Sequence, residues 1–134
     1  MNMSVPISAV VMAFFVATAS PVPHSQPAPT IVQQAVPLIE VGDLQAMIAN
    51  NAPVLLLDVR TPDEYRQGHI PGAVLMPVSS IAERYQSIPK DVTLVVYCRS
   101  GGRSAITVRF LRQHGYESAS LAGGYMAWSG MPRR

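Results

Sequence analysis

The only cysteine of the chain, Cys98, stands in a short segment rich in arginine, serine and glycine, YCRSGGRSA at residues 97–105. The thiolate is the nucleophilic form of cysteine, and nearby cations lower the pKa of the thiol. A cysteine that only fills a hydrophobic core needs neither the arginines nor the glycines beside it. The segment therefore indicates a cysteine nucleophile in a small cationic loop.

This segment connects a predicted strand to a predicted helix. The strand is TLVVYC at residues 93–98, a continuous apolar run typical of a strand buried on both faces. The helix covers residues 103–114, with Ile106 and Phe110 one turn apart and Gly115 as its C-cap. In open α/β sheets ligands bind at the carboxyl ends of strands, and the first amides of a helix favour anions. We expect the loop amides to face the sulfur and an incoming anion.

The rest of the chain from Pro37 alternates strand and helix patterns in the same way. A second apolar run precedes a short helix with Thr61 as its N-cap, Pro62 at its first position and Gly68 at its end. Another short helix begins at Ser79 or Ser80. The predicted strands are residues 37–41, 54–59, 73–78, 93–98 and 117–124, and the first helix is 42–51. This order predicts an α/β domain with a mainly parallel five-stranded sheet flanked by helices on both faces.

The first 36 residues differ from the rest because no Asp, Glu, Lys or Arg precedes Glu40. Residues 5–19 are apolar and end in small residues, which is typical of a secretory signal peptide over residues 1–19. An uncleaved anchor is the alternative, although the stretch is shorter than the roughly 20 residues of a membrane span. Residues 20–36 are rich in proline and are predicted to be a disordered spacer before a domain at 37–134. We expect a periplasmic or secreted protein, with membrane anchoring second.

Composition limits the partners that the domain can have. A length of 134 residues fits one domain, and a net charge of +2 without basic runs argues against nucleic acid. One cysteine cannot build a zinc site, and His69 has no partner at a metal-ligand spacing. His69 is predicted to bond backbone groups at a turn, and His114 to end a helix. We therefore predict no metal and no cofactor.

Three segments together resemble the rhodanese-like sulfurtransferase family: LLLDVRTPDEYRQGHIPGA at 55–73, VVYCRSGGRS at 95–104 and LAGGYMAWSGMP at 121–132. The resemblance implies a parallel sheet with flanking helices and a reaction that moves sulfane sulfur. A donor such as thiosulfate would load Cys98 as a persulfide, and cyanide or a thiol would accept the sulfur. The implied site residues after Cys98 are Arg99, Ser100, Gly101, Gly102, Arg103 and Ser104.

Other positions of the same pattern are predicted to support the site. Asp58, Arg60 and Glu64 are expected to form an ion-pair network that pins a strand end to the next helix. In a second interpretation, Asp58 and Arg60 tune the thiol directly. Met126 and Trp128 are predicted to pack in the core beside the loop.

Alternative functions remain at this point. Phosphatases and arsenate reductases related to this family have a loop in which five residues separate a cysteine from an arginine, and that loop wraps a phosphate. Only four residues, Arg99 to Gly102, separate Cys98 from Arg103, and Tyr97 stands where a histidine acid would be expected. A non-catalytic persulfide carrier or a partner-binding module is the other alternative. The oligomeric state is expected to be a monomer or a weak homodimer.

Overall fold

All five predicted strands form, and they alternate with helices along the chain. The computed structural model describes residues 35–131. Its elements are β1 Leu38–Ile39, α1 Val41–Ala49, β2 Val54–Asp58, α2 Pro62–Gln67, β3 Val74–Leu75, α3 Ile81–Arg84, β4 Thr93–Tyr97, α4 Gly102–Gln113, β5 Ser118–Leu121 and α5 Gly124–Gly130. Single 3-10 turns, Val78–Ser80 and Tyr85–Ser87, flank α3.

The strands form one sheet in the order β1-β5-β4-β2-β3, and every pair is parallel. The β4 strand lies in the middle, between β5 and β2. Its register with β2 runs from Thr93 beside Val54 to Tyr97 beside Asp58. The two strands therefore end at the same level, and residues that follow them meet at one edge of the sheet. The predicted fold class is confirmed.

Helices cover both faces of the sheet. The side chains of β4, and of Cys98 directly after it, alternate between two apolar clusters that pack against these helices. Leu94, Val96 and Cys98 pack in one cluster with Val108 and Leu111 of α4. The residues between them on β4 face the opposite side, where they pack with α1 and α5. A strand buried on both faces must be apolar throughout, which explains the continuous apolar run in the sequence.

The α4 helix begins one residue before the predicted start and ends at Gln113. The predicted apolar face is wrong in one respect, because Ile106 is 61% exposed. The buried face instead consists of Ser104, Thr107, Val108 and Leu111. Two of these four are polar, so hydrophobic periodicity alone could not locate the face. Gly115 follows the cap residue His114 with φ +84°, a left-handed conformation that favours glycine.

The C-terminal part differs more from the sequence prediction. The predicted strand 117–124 shortens to Ser118–Leu121, and the α5 helix that follows was not predicted. Trp128 packs against the core as expected. The core position predicted for Met126 is wrong, since this side chain is 56% exposed on the outer face of α5.

The predictions for the N-terminal segment lie outside the described residues, except at its end. The signal peptide at 1–19 and most of the spacer fall in this part of the chain. Val36, the last residue assigned to the spacer, packs against the core cluster under α4. Within residues 35–131, no helix combines the length and the hydropathy needed to cross a membrane.

Candidate active site

Cys98 directly follows the central strand β4 and is 1% exposed. The chain then turns at Gly101, whose φ of +125° favours glycine, and enters α4 at Gly102. Gly102 itself has ordinary helical backbone, so only the first of the two glycines is needed for the turn. The predicted position of the cysteine, at a strand end before a helix N-terminus, is confirmed.

Hydrogen-bond donors surround the sulfur on its inner side. The amide of Gly101 donates to Sγ over 3.0 Å, and the hydroxyl of Ser104 lies 3.5 Å from Sγ. Burial raises the pKa of the Cys98 thiol, but hydrogen bonds from the Ser104 side chain and from the amides of Ser104, Gly101 and Ser100 outweigh it. The pKa of the thiol therefore lies below its ordinary value, and the thiolate is favoured.

Behind the sulfur, a second hydroxyl continues this contact into the core. The Oγ atoms of Ser104 and Ser120 lie 2.7 Å apart, and both residues are buried. Ser104 also donates to the carbonyl of Gly101 over 3.1 Å. No sequence pattern around Cys98 points to Ser120, because β5 does not belong to the cysteine-containing segment. The one available signal was a serine at every second position of a strand, which places Ser118 and Ser120 on the same face.

Arg103 forms a two-pronged ion pair with Glu64, over 2.8 and 2.9 Å. The pKa of Glu64 is lowered to about 2, chiefly by its hydrogen bonds with Arg103 and next by its hydrogen bond with the Thr61 amide. Glu64 and Thr61 also form the capping box of α2, with Pro62 in the first turn as predicted. The ion pair between Arg103 and Glu64 therefore joins the start of α4 to the start of α2.

Arg103 keeps an electrostatic link to the cysteine. The pKa of its guanidinium is raised chiefly by the hydrogen bonds to Glu64, and in smaller part by the charges of Cys98 and Asp58. The charge of Arg103 thus favours the Cys98 thiolate, while both of its terminal nitrogens bond to the Glu64 carboxylate.

Asp58 and Arg60 form a separate buried pair, with Nη2 of Arg60 2.7 Å from the carboxylate. The same nitrogen donates to the carbonyl of Gly68 over 2.7 Å, and the guanidinium lies 4.4 Å from the centre of the Tyr125 ring. The predicted single network of three residues is wrong, because Glu64 pairs with Arg103 instead. Pinning of the strand end to α2 is confirmed, since Gly68 ends that helix. Direct tuning of the thiol by Asp58 and Arg60 stays a prediction.

The N-terminus of α5 holds the loop in place from behind. The amide of Tyr125 donates to the carbonyl of Cys98 over 2.8 Å, and that of Met126 donates to the carbonyl of Arg99 over 3.1 Å. A Cβ atom on Gly124 would lie 2.6 Å from both carbonyl oxygens. Only glycine allows this approach, and the glycine pair of LAGG is the sequence signal for it.

The remaining loop residues lie on the outer side. Arg99, Ser100 and Gly102 are exposed, whereas Ser104 faces inward beneath the sulfur. Their roles in substrate binding stay predictions. His69 lies away from this chemistry: its ring stacks on Tyr65 and bonds the Tyr65 carbonyl over 2.9 Å. Among residues 35–131, no three His, Cys, Asp or Glu side chains are grouped to hold a metal.

Comparison with known proteins agrees with this geometry. The family model of the rhodanese-like domain matches residues 40–131. A sulfurtransferase of Allochromatium vinosum is 43% identical over 97 residues, which cover 70% of this chain and 91% of that protein.

Solved structures show the same similarity. The rhodanese-related protein of Thermoplasma volcanium has a TM-score of 0.66 at 33% identity, covering 72% of this chain and 95% of that one. A rhodanese-like domain protein of Staphylococcus aureus has a TM-score of 0.66 at 31% identity, covering 73% and 98%. These matches agree with the order of the strands and with the cysteine at the end of the central strand. They show that the chain belongs to the rhodanese-like domain family.

Proposed function

We propose that this protein is a sulfurtransferase that moves sulfane sulfur from a small anionic donor such as thiosulfate, through a persulfide on Cys98, to cyanide or a thiol. Sulfur transfer in general is supported by the family and by the sulfurtransferase of Allochromatium vinosum. The donor, the acceptor and the persulfide are our proposal. The observation that carries it is the hydrogen bond that the Gly101 amide donates to the Cys98 sulfur over 3.0 Å, just before the N-terminus of α4.

The first half of the reaction follows from this arrangement. The Cys98 thiolate attacks the outer sulfur of thiosulfate, the sulfur–sulfur bond of the donor breaks, and sulfite leaves with its electron pair. The exposed side chain of Arg99 and the partly exposed one of Arg103 attract the anionic donor. In the second half, cyanide or a thiolate attacks the outer sulfur of the persulfide, and Cys98 leaves as a thiolate.

The size of the loop favours sulfur over phosphorus. Four residues separate Cys98 from Arg103, and Arg103 is held by Glu64 rather than pointing freely at a bound anion. The phosphoryl group of a phosphocysteine intermediate presents three oxygens that need several donors at once, whereas the outer sulfur of a persulfide is one atom that needs few. We therefore rank phosphatase and arsenate reductase activity below sulfur transfer.

The test is sulfur loading followed by turnover. The purified protein is incubated with thiosulfate, its intact mass is measured, and thiocyanate is then assayed after addition of cyanide. We expect one added sulfur atom that cyanide removes, and repeated turnover. The Cys98→Ser variant should neither gain the sulfur nor form thiocyanate.

This experiment also separates the alternatives. Loading without repeated turnover would identify a carrier rather than an enzyme. Absence of any sulfur adduct in the wild-type protein, or an adduct on the serine variant, would refute the proposed role of Cys98.

We also propose that the protein is exported, with residues 1–19 as the signal and membrane anchoring as the alternative. The support is the uncharged apolar stretch at residues 5–19, which ends in small residues. Partners in this proposal are the small sulfur donor and acceptor, and neither a metal nor a cofactor is required.

A further inference from the structure

Two buried hydroxyls lie in line behind the cysteine sulfur. Ser104 Oγ is 3.5 Å from Cys98 Sγ and 2.7 Å from Ser120 Oγ. Ser104 is fully buried and Ser120 is 1% exposed. Ser104 comes from α4 and Ser120 from β5, so the line crosses from the helix to the sheet.

A count of hydrogens fixes the direction of this line. Ser104 Oγ is the only hydrogen-bond partner that residues 35–131 provide for Ser120 Oγ. If Ser104 donated to Ser120, the hydrogen of Ser120 would remain buried without an acceptor, which is unfavourable. Ser120 therefore donates to Ser104, and the hydrogen of Ser104 is available for the Gly101 carbonyl or for the sulfur.

The hydrogen of Ser104 can move between these two acceptors at small cost. The Gly101 carbonyl also accepts the amide of Ala105 over 3.0 Å, so it keeps a partner when the hydroxyl turns away. A neutral thiol needs no donor from Ser104, whereas a thiolate gains a charge-assisted hydrogen bond. The hydroxyl is thus placed to follow the charge of the sulfur.

We propose that Ser120 is a positioning residue for Cys98, which acts by donating its hydrogen to Ser104 so that Ser104 directs its own hydrogen to the thiolate. The effect on sulfur transfer rests on the function proposed above. There, the same contact stabilises Cys98 as the nucleophile in loading and as the leaving group in transfer.

The charged groups around the sulfur do not depend on these serines. Arg103 of α4 pairs with Glu64 of α2, and the negative charge of Cys98 contributes to the raised pKa of Arg103, while Asp58 and Arg60 pair with each other at the end of β2. Among the described contacts, neither pair includes a serine hydroxyl. Removal of the Ser120 hydroxyl therefore leaves the charges in place and isolates its own contribution.

The test measures the ionisation of the thiol without any sulfur donor. The ultraviolet absorbance of the thiolate is titrated, and the rate of alkylation by iodoacetamide is measured against pH. The chain has one cysteine, so alkylation reports Cys98, and the same absorbance titration of Cys98→Ser is subtracted to remove the signal of the five tyrosines. At pH values below the wild-type thiol pKa, we expect Ser120→Ala to react about threefold more slowly and Ser104→Ala about tenfold more slowly, as loss of one hydrogen bond to a charged group implies. At high pH the rates should converge.

The matched control is Ser118→Ala on the same strand. The Ser118 hydroxyl is buried without a hydrogen-bond partner in the described part of the chain, so its removal should change neither readout. In a Ser104→Ala background, Ser120→Ala should add nothing, because the link to the sulfur is already absent. Ser120→Thr, which keeps the hydroxyl, should restore the wild-type profile.

The proposal is refuted if Ser120→Ala matches the Ser118→Ala control at every pH. It is also refuted if the slower reaction persists at high pH, or if Ser120→Thr behaves like Ser120→Ala, because packing would then explain the change. These outcomes do not involve sulfur transfer. Failure of sulfur loading would refute the proposed function, while the titration would still decide the role of Ser120.

Discussion

Replacement of Glu64 by glutamine tests the ion pair that joins α2 to α4. Glutamine keeps a side-chain oxygen that can accept the Thr61 amide and serves in a capping box, so the helix cap is preserved. It removes the charge that holds Arg103 over 2.8 and 2.9 Å. The variant therefore separates the ion pair from the cap. We expect a less stable protein whose thiolate is slightly more favoured, since the charge of Arg103 is no longer neutralised.

The magnitude follows from the pKa of Glu64, which falls from 4.5 to about 2 in the folded protein. At about 1.36 kcal/mol for each pH unit, full conversion of this difference would give about 3.4 kcal/mol. Solvent screening reduces this, because the side chains of Arg103 and Glu64 are 35% and 28% exposed. We expect a loss of about 1.5 kcal/mol in the free energy of unfolding, which corresponds to about 8 °C in Tm for a domain of this size.

The pH dependence gives the sign of the effect. Because the pKa of Glu64 is lowered on folding, its stabilisation is complete above 4.5 and is lost as the pH falls towards about 2. Urea unfolding and thermal melting at a series of pH values should therefore show the difference between wild type and Glu64→Gln shrinking over this interval.

The control is Asp63→Asn, the neighbouring carboxylate, which pairs with Arg66 at a far more exposed position. It should change the free energy of unfolding by less than about 0.5 kcal/mol. Equal stabilities of Glu64→Gln and Asp63→Asn at pH 7 would refute the argument. So would a Glu64→Gln difference that persists unchanged near pH 2.

Three further predictions concern the loop and the N-terminal segment. Gly124→Ala should lose about 2 kcal/mol or more of stability and most of the sulfurtransferase activity, because its Cβ would meet the loop carbonyls at 2.6 Å. Gly130→Ala in the same helix is the control, since its Cβ would meet nothing within 4 Å. Melting curves and thiocyanate assays of both variants check this. Arg103→Ala should keep the fold at lower stability, because it removes the ion pair with Glu64. It should also raise the pKa of the Cys98 thiol and lower kcat/KM for thiosulfate about tenfold or more, because a positive charge beside the thiolate and the anionic donor is lost; unchanged kinetics would contradict it. If residues 1–19 are a signal, N-terminal sequencing of the protein recovered from its host should begin at or near Ser20, and full-length protein in the cytosol alone would contradict export.

Much of the fold could be predicted because its signals are local. The apolar run of β4 and the loop after Cys98 are each readable within about ten residues. The cap formed by Thr61 and Glu64 follows from a spacing of three residues. These features depend on neighbouring backbone geometry, which the residue types largely determine.

The parts that could not be predicted depend on contacts between distant segments. Glu64 could pair with either of two arginines at this edge of the sheet, Arg60 or Arg103. Nearness in the chain favoured Arg60. The structure pairs Glu64 with Arg103, 39 residues away, because the start of α2 lies beside the start of α4. Ser120 became part of the site only through the register that brings β5 beside β4. No local pattern marks such a pairing.

The depth of the Cys98 sulfur decides which partners can form a bond with it. A disulfide needs its two Cα atoms within about 4.4–6.8 Å of each other. Cys98 is 1% exposed at the end of a central strand, so a second copy of the chain cannot bring its own cysteine that close while both loops keep this shape. A persulfide differs, since its outer atom extends about 2 Å beyond the buried sulfur. In the sulfur transfer proposed above, small anions would meet that outer atom, whereas the cysteine of another folded protein would not reach the buried sulfur. The loop would then shield the thiol from cross-linking and leave the loaded sulfur open to exchange.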